Sequence, residues 1–335
     1  MFSAAVEQVL EQLDWVRSRI LSRTLRFEWL RALYRDRERR TLALFSLSLV
    51  LNFWLVLFFP KILFYGTPLL MGVPHLFASF LYSKASLPRE RRPKSAVFFY
   101  AITFTACASA LLQNEGAFSD PHFFTFALAL VASLIWIRRR GTLSILSLTV
   151  IAAAIVGFTF FPVAVATILL FGHNFMAFAF WYRSARTPRT RASALRALAW
   201  TALALLTLAL LPLLHLDLLN SASTSEIARL LLGDDSPLVR FGVQAFLVTQ
   251  SLHYLIWLKA IPDAASTAET PGGFEYTARN LARSLGKHAL KIGVILALSM
   301  VALAAFYGFE AFRLAYLALA AYHGLFEIAA WCGRP

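Results

Sequence analysis

Long apolar stretches separated by short polar segments dominate this chain. Each stretch is about 16 to 24 residues long and carries few or no charges, which is the length a helix needs to cross roughly 30 Å of hydrocarbon. A segment inside hydrocarbon must satisfy its backbone polar groups internally, so the pattern predicts α-helices. We expect ten spans, at residues 41–64, 66–83, 95–114, 122–137, 142–160, 162–182, 195–216, 239–259, 287–308 and 311–332.

The distribution of basic residues predicts the orientation of these spans. Lys and Arg collect in short cytoplasmic loops. With both chain ends in the cytoplasm, 27 of the 32 Lys and Arg fall on the cytoplasmic side, 4 fall outside, and Lys291 lies within the ninth span. One span more or fewer would destroy this asymmetry. We therefore predict an all-α polytopic bundle of ten transmembrane helices, N-in and C-in, in the cell (inner) membrane.

The composition agrees with a membrane protein and excludes several other classes. Hydrophobic residues make up 59% of the chain and charged residues 15%, against about 45–50% and about 25% in an ordinary soluble domain. Cytoplasmic loops beside anionic lipid account for the net charge of +14, so we expect a lipid bilayer and no nucleic acid as partner. Two cysteines suggest neither a disulfide framework nor a cysteine metal cluster.

Two domains are predicted. Residues 1–40 form a basic amphipathic interfacial helix, with a dimerising coiled coil as the alternative. Residues 41–332 form the ten-span transmembrane domain, which has one intramembrane multi-histidine site and loops too short for a soluble catalytic domain. Within it we expect a short external helix in residues 217–238 and a flexible cytoplasmic loop in residues 260–286. The amphipathic stripe of the first domain consists of Val6, Val9, Leu10, Leu13, Val16, Ile20 and Leu21.

Four of the seven histidines lie inside predicted spans, and they share one depth. His75, His173, His253 and His323 fall in spans two, six, eight and ten, which all run from the outside toward the cytoplasm. Each lies roughly 9 to 14 Å from the cytoplasmic end of its span at 1.5 Å per residue. Ionisable groups at such depth usually face the bundle interior, and imidazole is the commonest protein metal ligand. We predict that the four histidines ligate one metal; four separate interhelical hydrogen bonds are the alternative.

Neighbouring residues add to this prediction. Glu327 follows His323 by one helical turn and is a candidate metal ligand or catalytic carboxylate. Tyr254 adjoins His253 and is a second candidate catalytic residue, although it is expected on another helix face. Gly72 is consistent with a close approach of helices near His75. A histidine site without thiolates suits iron, and copper or zinc are also possible.

The segment Gly72-Val73-Pro74-His75, together with one histidine per span, resembles the Brp/Blh family of membrane β-carotene dioxygenases. The histidines of that family hold a catalytic iron and its reaction yields retinal, so the resemblance implies histidine-bound non-haem iron and oxidative cleavage of an apolar small molecule. We therefore favour a membrane-embedded non-haem iron oxygenase acting on a carotenoid, isoprenoid or lipid. Two alternatives stay open: a haem-binding electron-transfer protein with paired axial histidines, and a metal- or proton-coupled transporter.

Overall fold

The computed structural model confirms an all-α architecture. Every element among the described residues is helical, and none of these residues forms a strand. The structure describes residues 4–72, 74–76, 78, 156, 162–214, 221–233, 235–265, 279, 294–295, 297–309, 312, 316, 320, 323 and 327.

The predicted N-terminal amphipathic helix consists of two helices. Helix α1 (Ala4–Thr24) and helix α2 (Glu28–Arg35) are separated by a short turn, because Phe27 adopts an extended conformation with φ −81° and ψ 124°. The Arg17 guanidinium donates a hydrogen bond of 3.0 Å to the Tyr34 hydroxyl and joins the two helices. We call residues 4–35 the N-terminal helix pair.

Two long helices begin earlier than their predicted spans because side chains cap their charged first turns. Helix α3 (Arg37–Phe58) starts at Asp36, whose carboxylate accepts a hydrogen bond of 3.0 Å from the Arg39 backbone N–H. Helix α5 (Pro188–Leu210) starts at Thr187, whose hydroxyl accepts a hydrogen bond from the Thr190 backbone N–H. It also has a proline in its first turn. Capping and the N-terminal proline favour helix among polar residues. Hydropathy does not register such turns, so these two helices extend beyond the apolar stretches that begin at residues 41 and 195.

The remaining helices agree with the predicted order. They are α4 (Pro162–Ser184), α6 (Ser221–Leu232), α7 (Pro237–Leu255), α8 (Ile261–Ala265) and α9 (Ala297–Phe309). Helix α6 lies within the predicted external segment, and α8 extends helical structure into the predicted 260–286 loop. Gly308 has a φ of +86° near the predicted boundary between spans nine and ten. Apart from residue 156, predicted spans three to five lie outside the described residues.

Helices α3, α4, α5 and α7 form the packed centre of the bundle. Helix α7 packs against α3 and α4, and α5 packs against the same two helices. One face of α3 is buried in the main apolar cluster through Phe45, Leu49 and Val56. Its opposite face exposes Leu47 by 67% and Trp54 by 54%. The bundle therefore shows apolar side chains both inside and outside.

Polar contacts tie the helices together at both ends of the bundle. At one end the Thr41 hydroxyl donates to Asp263 at 2.6 Å, which links the start of α3 to α8. At the same end the Thr190 hydroxyl donates to Glu38 at 2.6 Å, which links α5 to α3. At the opposite end Lys61, beyond α3, forms an ion pair of 2.7 Å with Glu226 of α6. Helices α3 and α5 thus start at the same end, and α7 finishes there.

Asp36 belongs to the polar end formed by the starts of α3 and α5. Its carboxylate also accepts a hydrogen bond of 2.6 Å from the Arg189 guanidinium. Partial burial raises the pKa of Asp36, but the hydrogen bonds from the Arg39 N–H and Arg189, with the charges of both arginines, outweigh burial and hold the pKa below its ordinary value. Asp36 therefore stays ionised and holds the two helix starts together at neutral pH.

Two of the described helices, α3 and α5, are long and apolar enough to cross a membrane by length and composition. Two shorter apolar helical segments, Ile62–Gly72 and Ala297–Phe309, are also present in this part of the chain. Helices α3 and α5 correspond to predicted spans one and seven.

Replacing Gly72 by alanine should destabilise the fold. A Cβ atom at Gly72 would overlap a ring carbon of Tyr316, which is fully buried, so one of the two segments must move. Overpacking of this kind costs about 1–3 kcal/mol. Thermal unfolding of detergent-purified Gly72→Ala should therefore show a lower midpoint than wild type.

Gly66→Ala is the matched control, because its Cβ would meet nothing closer than an Ile62 methyl group at 3.9 Å. Gly66 and Gly72 are each the last residue of a π-helical turn. Replacing glycine by alanine therefore changes helix propensity by a similar amount at the two positions. Equal unfolding midpoints for the two variants would contradict the close approach of Gly72 and Tyr316.

Candidate metal centre

The structure brings the predicted histidines and Glu327 together inside the bundle. They come from well-separated parts of the chain: His75 from a helical turn at 74–76, His173 from α4, His253 from α7, and His323 and Glu327 from helical positions one turn apart. Their exposed fractions are 1%, 7%, 0%, 1% and 0% in that order. The predicted polar layer is therefore a buried cluster.

Three histidines and Glu327 converge on one point. Nε2 of His75 lies 2.8 Å from Nε2 of His323 and 3.1 Å from Nε2 of His253. Oε1 of Glu327 lies 3.0 Å from Nε2 of His323 and 4.0 Å from Nε2 of His253. One potential ligand atom from each of the four residues lies within 4.8 Å of all the others. This buried His3Glu group can hold a metal ion.

Hydrogen bonds between the imidazoles do not account for this arrangement. A ring nitrogen of neutral histidine carries either one proton or one lone pair. Nε2 of His75 faces two other Nε2 atoms at hydrogen-bonding distance, yet it can form a full hydrogen bond with only one of them. Its other ring nitrogen, Nδ1, is buried and has no hydrogen-bond partner among the described residues. A cation at the centre would instead accept all the lone pairs at once.

The separations are close to those of donor atoms that share one metal ion. With metal–ligand bonds of about 2.1 Å, neighbouring ligands lie about 3.0 Å apart at right angles and about 3.4 Å apart in a tetrahedron. Three of the separations are 2.8, 3.1 and 3.0 Å, and the whole set of donor atoms lies within 4.8 Å.

The backbone of α4 orients His253 for coordination. Nδ1 of His253 lies 3.3 Å from the carbonyl oxygen of Asn174. A carbonyl can only accept, so Nδ1 carries the proton and Nε2 keeps its lone pair toward the other donors. The Asn174 side chain is held in turn, because its amide donates to the Thr249 hydroxyl at 3.1 Å. Asn174 thus orients the imidazole through its main chain, while its side chain forms an interhelical hydrogen bond.

His173 lies beside the convergent group and does not join it. Its ring centroid is 4.6 Å from that of His253 and 6.0 Å from that of His323. The compact set of ligand atoms contains Glu327 in its place. Coordination by His173 stays a prediction, whereas its position in the buried layer is confirmed.

Tyr254 faces the site, contrary to the expectation that it points to another helix face. Its ring centroid is 4.8 Å from that of His75, and its hydroxyl is 2.5 Å from the Tyr316 hydroxyl. Tyr254 and His253 are about 100° apart around α7, and the His75 ring, which comes from another segment, lies 4.5 Å from the His253 ring and so is within reach of both side chains. A catalytic role for Tyr254 stays a prediction.

Tyr316 is a site neighbour that sequence reasoning missed. Positions 312, 316, 320, 323 and 327 follow one another at three- or four-residue intervals, which places Tyr316 on the helix face of His323 and Glu327. This spacing is the sequence signal from which Tyr316 could have been predicted near the site. The glycine at position 72 admits the Tyr316 ring beside the helix that carries His75.

π-Helical turns, which are wider than α-helical ones, flank two of the ligand candidates. Pro68–Gly72 ends three residues before His75, and Ile256–Ala260 begins three residues after His253. Such turns are rare and occur frequently at functional sites, because they shift the direction of the side chains that follow or precede them. Their position here agrees with a site built by local distortion of two helices.

Comparisons of the chain with protein-family models, curated proteins and solved structures find no match. The resemblance to membrane β-carotene dioxygenases stays a prediction.

Replacing His75 by leucine should leave the metal-free protein at least as stable as wild type. The substitution removes an imidazole with two competing nitrogen contacts and a buried Nδ1. His323 keeps its contact with Glu327 and His253 keeps the Asn174 carbonyl, so little hydrogen bonding is lost. Thermal unfolding after exhaustive chelation measures this. Metal addition should then raise the midpoint of wild type and not that of His75→Leu, since only a binding-competent native state gains stability. A large loss of stability in the chelated variant would show that His75 is held by structural hydrogen bonds instead.

Proposed function

We propose that this protein is a membrane-embedded non-haem iron oxygenase that acts on a lipid-soluble substrate through the His3Glu centre. The convergence of the Nε2 atoms of His75, His253 and His323 with Oε1 of Glu327 carries the proposal. Three histidines and a carboxylate without thiolates are typical of non-haem iron. When bound, iron supplies the activation of dioxygen.

The short separations between the donor atoms disfavour haem. Two axial haem ligands stand on opposite faces of a macrocycle, about 4.2 Å apart for bonds of about 2.1 Å. Nε2 of His75 lies 2.8 and 3.1 Å from its neighbours, which is too close for a haem between either pair.

The protein's own groups hold and shield the centre. The Asn174 carbonyl fixes the tautomer of His253, and the ring of Tyr254 packs beside His75 and limits its rotation. The four side chains would hold the ion, and dioxygen and substrate would reach it from the remaining side. A small apolar cluster adjoins the donors and offers the surface that a carotenoid, isoprenoid or lipid chain requires; it contains Leu76, Tyr254, Met300, Ala304, Phe312, Tyr316 and Ala320.

The ten-span, N-in and C-in topology in the inner membrane belongs to the same proposal. Its support is the apolar outer surface of α3 and α5 and the polar groups buried between helices, which is the distribution expected in lipid. The ends of the bundle agree with the predicted sides. Thr41, Asp263 and Thr190 are predicted at the cytoplasmic side and meet at one end, whereas Lys61 and Glu226 are predicted outside and meet at the other.

Cysteine labelling in intact cells tests the topology. We start from the variant in which Cys107 and Cys332 are replaced by serine. Glu226→Cys should react with an impermeant maleimide from outside, and Arg186→Cys should react only after permeabilisation, because both side chains are exposed at opposite predicted sides. Reaction of both positions from the same side would overturn the topology.

Iron content and visible spectrum test the oxygenase proposal. Detergent-purified wild type should hold about one iron per chain and show no Soret band, because one centre and no haem are proposed. His75→Ala, His253→Ala, His323→Ala and Glu327→Gln should each lose most of the iron, since each removes one of four donors. Oxygen consumption with a panel of carotenoids, isoprenoids and lipids then identifies the substrate.

His288→Ala is the matched control, because this histidine is predicted at the end of a span and away from the centre. It should keep the iron content of wild type. Retention of iron by the four site variants, or a Soret band in wild type, would refute the His3Glu iron centre.

A further inference from the structure

Five apolar side chains form an exposed stripe along α1. Val6, Val9, Leu13, Val16 and Ile20 are each exposed by between 42% and 56%. Their spacing of three and four residues places them on one face of the helix. A continuous apolar stripe of this kind on a surface usually marks a binding face.

Basic and aromatic residues accompany the stripe. The helix pair contains six arginines, all within residues 17–35, and four acidic residues, three of which lie before residue 17, for a net charge of +2. Trp15 and Trp29 are exposed by 56% and 67%, and the Arg19 guanidinium lies 4.3 Å from the centre of the Trp15 ring. Apolar residues beside arginine and tryptophan are typical of helices that lie in the headgroup region of anionic lipid.

The fold holds the N-terminal helix pair next to a candidate span. Helix α2 packs against α3, which begins at Arg37, directly after the cap residue Asp36. If α3 enters the bilayer at this end, the helix pair is tethered at the membrane surface. Lipid is then the partner nearest to the stripe, and its negative headgroups complement the arginines.

We propose that the N-terminal helix pair docks flat on an anionic lipid surface, with the α1 stripe in the apolar boundary and the arginines at the headgroups. The proposal rests on the proposed membrane position of α3. Resistance of the protein to alkaline extraction from membranes tests the membrane position of α3 separately. The docking of the helix pair can therefore fail while the membrane position holds, and the two results can be told apart.

Labelling of the full chain in lipid nanodiscs tests the docking. Val16→Cys and Ser18→Cys are made in the variant without Cys107 and Cys332; both positions are exposed, and they lie on nearly opposite faces of α1. In discs that contain phosphatidylglycerol, a water-soluble maleimide should label Val16→Cys several times more slowly than Ser18→Cys. In discs of phosphatidylcholine alone the two rates should approach each other.

Replacement of Arg19, Arg23 and Arg26 by glutamine should abolish the protection. Each basic residue near an anionic surface contributes about fivefold in lipid affinity, so Val16→Cys should then react as fast as Ser18→Cys. Equal labelling of both sites in anionic discs would overturn the proposal. Protection that persists in lipid-free detergent and grows with protein concentration would overturn it too, because a second copy of the chain would then cover the stripe.

Discussion

The site depends on one chemical constraint: a neutral imidazole nitrogen offers one proton or one lone pair, never both. Nε2 of His75 faces two further Nε2 atoms within 3.1 Å inside a fully buried cluster. Pairwise hydrogen bonds leave at least one of these contacts unfavourable. A metal ion removes the conflict because it uses every lone pair in the same direction. The arrangement is thus poor as a set of structural hydrogen bonds and good as a set of ligands.

The surrounding fold is built to hold these donors in place. Polar contacts fasten the helix ends, from Thr41 and Asp263 at one end to Lys61 and Glu226 at the other. Between them, α7 packs against α3 and α4 and carries His253 into the centre. The close approach of Gly72 to Tyr316 fixes the segment that leads to His75. Donors anchored on packed helices keep their positions without metal, which lowers the ordering cost of binding.

The meeting of the four histidines could be predicted from the sequence, but the exact set of convergent atoms could not. Equal distance from the predicted span ends placed the histidines in one layer, and the structure confirms that His75, His173, His253 and His323 are neighbours. The spacing of Glu327 from His323 made it a candidate ligand, whereas helix rotation, which the sequence does not give, decides that His173 lies beside the compact group. Tyr254 was assigned to another face because only its angle from His253 was considered, and the His75 ring from another segment lies beside both residues. Helix starts at Arg37 and Pro188 were missed since caps, unlike hydropathy, depend on single polar residues.

Glu327 also answers an electrostatic requirement that a purely histidine site would leave unmet. A divalent ion bound by neutral imidazoles keeps its full charge, and burying an uncompensated charge in a medium of low dielectric constant is expensive. One carboxylate reduces the net charge of the centre from +2 to +1, and it costs less to bury once it is paired with the ion. Glu327 is fully buried and lies 3.0 Å from Nε2 of His323. A buried site of four histidines would therefore bind a divalent ion less favourably than the His3Glu group does.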